Sequence, residues 1–541
     1  MTKWWKNAVG YQIYPRSFMD SNNDGIGDIK GIQSKLPYLK ELGIDFIWIN
    51  PIYKSPNIDN GYDISDYKSI NPEFGTLDDL KELLHIAHEH NIKIIMDLVI
   101  NHTSDQHPWF IEAKKSIDNP YRNFYLWADA TPEKMPNDWQ GFFGGSTWTY
   151  DSKTKQAYFH IFTKGQPDLN WKNSEMRTKI YQRIKWWLDF GIDGFRLDAI
   201  SHIQKEPWDF KIKTDPWAPF SNVSGIEHYM TELKDLFHQY NIMTVGEASG
   251  VKSKQAAFWT NEDNGYIDMI FELEQLKRTG DLGKQTGDLL ALKEVLSRWQ
   301  VGLKNSGWNA LYIENHDNPR SNSIFGNETP ASATALATAY MLLKGTPFIY
   351  QGREIGMTNY PFSSIDELRA TDSLMAYQNW LDKDYTSLES LKLTTNWARD
   401  HARTPMQWGA SGAFSKSIPW MKINPNADQI NVESQQKDPS STLNYYKKLI
   451  KLKKELSVFT DGNYKLELPK HPKVWAYTRT TAQEKAKILV NLSEKVQVVT
   501  LPNRWLQAEY KIILTNYPEQ KLTKVMTLRP FEAIVISNYM L

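Results

Sequence analysis

The feature that most constrains this chain is a rhythm of short, largely apolar runs separated by stretches with helical spacing. Ile44–Asn50 (IDFIWIN) and Ile92–Ile100 (IKIIMDLVI) lack the period-2 alternation of a strand with one wet face. They read as strands buried on both faces, hence a parallel sheet covered by helices, and Leu77–His90 supplies helical spacing between them. Further strands are expected at Ala8–Tyr14, Gly194–Ile200, Met243–Ala248, Tyr266–Leu273, Ala310–Asn315 and Thr346–Gln351. Helices are expected at Ser174–Asp189, stopped by Gly191, and at Ala333–Leu343. Eight strands, each followed by room for a helix, fit a TIM (β/α)8 barrel better than an open doubly wound sheet.

The rhythm breaks twice. From about Asn101 to Trp171 the chain is rich in Trp, Phe, Gly, Asn and Asp, too long for a barrel loop, and reads as an inserted small domain. After helix Ser441–Leu456 come short alternating strands such as Val474–Arg479 and Ala486–Asn491. The expected division is barrel 1–103 and 174–459, insertion 104–173, and a C-terminal antiparallel β-sandwich over 460–541. A length of 541 residues suits several domains.

Composition removes several classes of function. Lys+Arg and Asp+Glu both total 63, so no basic field exists for a nucleic acid. Without cysteine there is no disulfide, thiolate metal site or thiol nucleophile. No apolar run reaches the roughly 18 residues of a membrane span, and the opening MTKWW does not resemble a signal segment. The expectation is a soluble, cytoplasmic protein with no membrane partner. The 21 Trp and 27 Tyr suit the faces of carbohydrates.

In a barrel of this kind, chemistry collects at the C-terminal ends of the strands. Those positions hold Asp97 and His102, Arg196 and Asp198, Glu247, and His316-Asp317. Acids ending several apolar strands are costly to bury without a purpose. Converging on a neutral, aromatic-lined pocket, they match glycosidic bond cleavage, in which one carboxylate attacks the anomeric carbon and a protonated carboxyl assists the leaving oxygen. An aldolase or isomerase barrel would place a lysine or a metal there, and a phosphate-handling barrel would carry late Gly-rich loops. Neither is present.

The segments DLVINH (Asp97–His102), GFRLD (Gly194–Asp198), Gly246-Glu247, ENHD (Glu314–Asp317) and QPDLNW (Gln166–Trp171) resemble, in order, the motifs of the alpha-amylase family of glycoside hydrolases. The closest likeness is to its oligo-1,6-glucosidase and alpha-glucosidase branch, over essentially the whole chain. The resemblance implies that Asp198 is the nucleophile, Glu247 the general acid/base and Asp317 the transition-state stabiliser, with retention of configuration. Arg196 is expected to keep Asp198 ionised.

By the same resemblance, Asp59 and Tyr62 of DNGYD, with His102, His316 and Arg403 of RTPMQW, line the terminal-sugar subsite, where Asp59 and Arg403 clasp the 4-hydroxyl. Phe143 and Phe162 add apolar walls. The expected substrate is a short oligosaccharide cut from its non-reducing end. Asp20, Asn22, Asp24, Ile26 (through its carbonyl) and Asp28 resemble the first part of an EF-hand loop, and the family likeness implies a structural Ca²⁺ there. Its twelfth position is Gly31, so it is not an EF-hand. Ala199, directly after the nucleophile, implies α-1,4 preference where Val accompanies α-1,6 action, and His202 is expected beside the same sugar. Alternatives are an α-1,6-specific oligo-1,6-glucosidase or dextran glucosidase, a trehalose-6-phosphate hydrolase, a sucrose isomerase, and a non-catalytic transporter-subunit relative. Arg353 and Asp372 depart from the usual Glu of relatives.

Overall fold

A computed structural model describes residues 3–507, 509–518 and 521–539, so residues 540–541 of the expected C-terminal domain lie outside the described residues. Eight strands build the central sheet: β1 (Gly10–Ile13), β2 (Phe46–Ile49), β3 (Lys93–Val99), β4 (Gly194–Asp198), β5 (Met243–Glu247), β6 (Met269–Phe271), β7 (Ala310–Leu311) and β8 (Thr346–Tyr350). Their order is β6-β5-β4-β3-β2-β1-β8-β7, with every neighbour parallel. A parallel bridge from Ile270 to Asn309 joins the two ends and closes a TIM barrel.

The barrel interior is filled by side chains, among them Phe46, Trp48, Met243, Phe271 and Phe348. Gly10 on β1 is required by that packing, since a Cβ there would lie 2.3 Å from the Phe46 ring. Two strands are shorter than their apolar runs suggest. The β6 ladder covers Met269–Phe271 and β7 only Ala310–Leu311. Beyond Leu311 the chain leaves the ladder so that Glu314 can accept from Arg320 Nη1 (2.9 Å) and Ser321 N (2.7 Å).

The insertion carries a three-stranded antiparallel sheet with Gln156–Phe159 between Trp127–Asp129 and Trp148–Asp151. It returns to the barrel where Asp168 bridges His102 and the Trp171 indole donates to Ile100 O at 2.9 Å. The C-terminal region has a five-stranded antiparallel sheet and a two-stranded ribbon around Val474, Leu489, Trp505 and Leu528. It docks on the barrel helix Pro330–Met341, where Tyr477 Oη donates to Ala339 O (3.1 Å). Among the described residues no helix is long and apolar enough to cross a membrane.

Candidate active site

Strand register assembles the acids. Asp97 on β3 lies opposite Arg196 on β4, and Val99 opposite Asp198. The period of two puts Arg196 and Asp198 on one face. Arg196 Nη1 donates to Asp97 Oδ1 (2.5 Å) and to Asp198 Oδ1, while Nη2 reaches Glu247 Oε2 on β5 (2.5 Å). One buried guanidinium therefore serves three carboxyl groups. The expectation was that Arg196 keeps Asp198 ionised; the arginine is instead divided among Asp97, Asp198 and Glu247. Burial pushes the Asp198 carboxyl well above the usual range, Glu247 and Asp97 add to this, and Arg196 opposes it. Asp97 is raised to about 6, again by burial against the pull of Arg196. Such a cluster titrates as a unit and retains a proton more readily than an isolated acid.

Asp317 has the opposite setting. Burial would raise it, but Arg399, His316 and Arg403 outweigh burial and hold it far below the usual carboxylate range. Arg399 Nη1 and Arg403 Nη2 each stand 3.0 Å from Asp317 Oδ1. His316 is kept neutral, chiefly by burial. The Gln12 amide donates to Asn50 Oδ1 and to His316 Nδ1, both at 2.8 Å, which leaves the ring proton on Nε2. Nε2 faces Tyr62 Oη (2.8 Å) and Asp317 Oδ2 (3.1 Å).

These groups floor a cleft of about 740 Å³. Asp59, Tyr62, His102, Phe143, Phe162, Asp198, Ala199, His202, Glu247 and Asp317 line it, whereas Arg196, His316 and Arg403 stand behind the lining residues. Asp59 and Arg403 form no ion pair. Asp59 Oδ2 instead accepts from Gln166 Nε2 (3.0 Å), and burial raises its carboxyl to about 7 against the opposing Arg399 and Arg403 charges. Arg403 is turned to Asp317 and to His316 O, with Nη1 buried and unpartnered among the described residues. Burial lowers both His102 and His202 to about 4, so both rings are neutral. His202 Nδ1 donates to Phe220 O (2.5 Å). Ala199 adopts φ 44°, the left-handed region, in the turn leaving β4.

Two contributors escaped the sequence reading. Arg399 pairs with Asp317 and with Asp372 (2.8 Å), and covers the Phe143 ring at 5.3 Å. Its spacing of four from Arg403, one helical turn, was the available signal. Phe142 stacks on Phe162 at 5.4 Å and meets His202 edge-on at 5.0 Å. Arg353, by contrast, is buried away from the cleft over the Tyr340 ring (4.5 Å).

The Asp20–Asp28 loop presents an all-oxygen donor set of the kind Ca²⁺ takes. Asp20 Oδ1 accepts from Asn22 N and Asn23 N, Asn22 Oδ1 from Asp24 N, Asp24 Oδ1 from Ile26 N, and Asp28 Oδ1 from Gly31 N. Asp20 Oδ1 and Asp28 Oδ1 each already accept two hydrogen bonds, whereas Asn22 Oδ1, Asp24 Oδ1 and Asp28 Oδ2 each accept one and keep a further lone pair, so these three supply the donor chemistry that fits the ion. Among the described residues, however, no three Asp, Glu, His or Cys side chains are gathered as a ready-made cage.

Residues 12–462 match the family profile described as the catalytic domain of alpha amylase, and 474–535 match the alpha-amylase SusG C-terminal domain. The chain belongs to the alpha-amylase family. It is 47% identical to the probable oligo-1,6-glucosidase 3 of Bacillus subtilis (strain 168), covering 98% of each chain. It is 44% identical to the oligo-1,6-glucosidase of Parageobacillus thermoglucosidasius, again over 98% of both. A crystal structure of Bacillus licheniformis trehalose-6-phosphate hydrolase superposes with TM-score 0.93 and 40% identity, covering 99% of this chain and 100% of that one. The alpha-amylase family member described here is a glycoside hydrolase.

Proposed function

We propose that this chain is a retaining exo-α-glucosidase that releases glucose from the non-reducing end of short α-glucans and prefers α-1,4 linkages. The observation that carries the reading is the pairing of Asp198 and Glu247, on adjacent strand ends, through one arginine at the floor of a cleft. Asp198 attacks the anomeric carbon as the proton on Glu247 passes to the leaving oxygen, giving a glucosyl ester. Glu247 then takes a proton from water, which displaces Asp198 and restores it. Asp317, held ionised, accepts from the ring hydroxyls as positive charge grows at the anomeric centre.

A neutral substrate is supported by the cleft's charges. The lysine and arginine lining it are Lys252 and Arg399, and each faces a carboxylate, Glu274 (3.6 Å) and Asp317. That gives no support to a phosphorylated disaccharide. The names of the two relatives favour the second reading, α-1,6 action. Ala199 supports the first, because a β-branched residue at φ 44° would be strained as well as crowd the aglycone ring. The test is kcat/KM on maltose against isomaltose. Maltose is expected to be preferred, and Ala199→Val to move the ratio toward isomaltose by about 5–100-fold, the worth of a pocket methyl. A wild-type preference for isomaltose sinks the linkage assignment. We also propose that the Asp20–Asp28 loop takes a structural Ca²⁺. Chelation is then expected to lower Tm by a few degrees, and re-addition of Ca²⁺, but not Na⁺, to restore it. An unchanged Tm in metal-stripped protein removes the site.

A further inference from the structure

A second cavity, of about 370 Å³, lies on the far side of the segment that follows the nucleophile. Ala199 and His202 face the catalytic cleft, whereas 203–208 line the second cavity. Its opposite wall comes from the inserted domain. Lys205 fixes the partition between the two. Its Nζ pairs with Asp168 (2.6 Å) and donates to Asn101 Oδ1 (2.8 Å) and His202 O (2.5 Å).

The chemistry of the walls narrows what could enter. Trp127, Trp171 and Trp208 contribute indole surface. The Trp127 Nε1–H is buried with no partner among the described residues, a donor whose desolvation is uncompensated. The side chains of Asn123, Lys172 and Glu206 also line the cavity and make no hydrogen bond or ion pair to another described residue. Lys205 is neutralised by Asp168, and Lys172 and Glu206 bring one charge of each sign to the lining. The cavity is therefore electrically balanced, aromatic in part, and supplied with free donors and acceptors. A phosphate or a lone cation has no excess charge to meet. A ring with apolar C–H faces and a hydroxyl edge satisfies both surfaces.

We propose that this cavity is a second saccharide site, for a neutral hexose unit, separate from the catalytic cleft. Glucose is the probe, because it can be titrated into the active wild-type protein. Calorimetric titration is expected to resolve two glucose sites. The double substitution Asn123→Ala with Glu206→Ala removes two hydrogen-bonding groups, one exposed and one half-buried. It should weaken one site at least about tenfold, the effect of losing a charged hydrogen bond, while leaving competitive inhibition by glucose at the cleft unchanged. Trp127→Phe, which keeps the ring and deletes the unpartnered donor, should weaken the same site alone. A crystal soaked in glucose should show a ring between the insertion and residues 203–208. A single glucose site in the wild type, or two sites unaffected by these substitutions, overturns the proposal.

Discussion

The two sides of the catalytic floor set one functional group in opposite surroundings. On the β3–β5 side, three carboxyls share Arg196; on the β7 side, Asp317 is faced by two guanidiniums and a neutral imidazole. On the first side burial and neighbouring carboxyls raise Asp198 and burial raises Asp97, against the pull of Arg196. On the second the excess of cations holds Asp317 ionised. Burial alone does not make the difference, since both sets are enclosed; the ratio of cations to carboxyls does.

The most severe way to break the charge-poor side is to remove the two carboxyls proposed to react. Asp198→Asn and Glu247→Gln should each lower kcat by about 10⁴-fold or more on substrates with poor leaving groups. Tm should hold or rise, since each substitution relieves the crowding of carboxyls around Arg196. For Glu247→Gln, an activated aryl glucoside should recover much of the glycosylation rate. Substantial turnover of maltose by either purified variant contradicts the assignment.

Arg403→Met tests the charge-rich side and should have a smaller effect, about 10²-fold in kcat/KM. The sign of its pH effect follows from the cause. Fewer cations around Asp317 let burial raise its carboxyl, so the acidic limb of kcat/KM should move to higher pH. Arg403→Lys should move that limb part of the way back. An unmoved limb would mean that Arg403 acts through packing rather than through charge.

The legibility of this contrast in the sequence was uneven. The acids were visible because each ends an apolar strand, a local pattern with a physical cost attached. The sharing of Arg196 was not, because it depends on the register that sets Asp97 opposite Arg196 across two strands. Arg399 was missed for a related reason. Its partners Asp317 and Asp372 are distant in sequence, and only its one-turn spacing from Arg403 was local. The lengths of β6 and β7 were overestimated since the chain stays buried after the ladder ends, at Glu272 and from Tyr312 to Glu314. Periodicity reports burial, which continues there, and not hydrogen bonding. Asp59 and Arg403 belong to the same site, but Gln166 and Asp317 are their respective partners.

A third carboxyl setting, with no cation in contact at all, extends the comparison to its limit and gives the smallest expected effect. Glu272 follows β6 directly and is buried, with Oε1 unpartnered among the described residues and Oε2 accepting from Glu274 N (2.9 Å). Burial raises it to about 8 from a usual 4.5. A carboxyl raised on folding binds its proton more tightly in the folded state. Its contribution to stability is therefore complete below about pH 4.5, falls as pH rises toward 8, and is flat beyond. Each pH unit in that window costs up to about 1.4 kcal/mol, an upper bound for a group that can relax. Glu272→Gln keeps the shape and removes the ionisation. Its Tm should lie near that of the wild type at pH 5 and exceed it by a few degrees at pH 9, with the gap opening between. A gap that is constant with pH, or that closes toward pH 9, would show that Glu272 is not held neutral. Cation count would then fail to rank the carboxyls of this barrel.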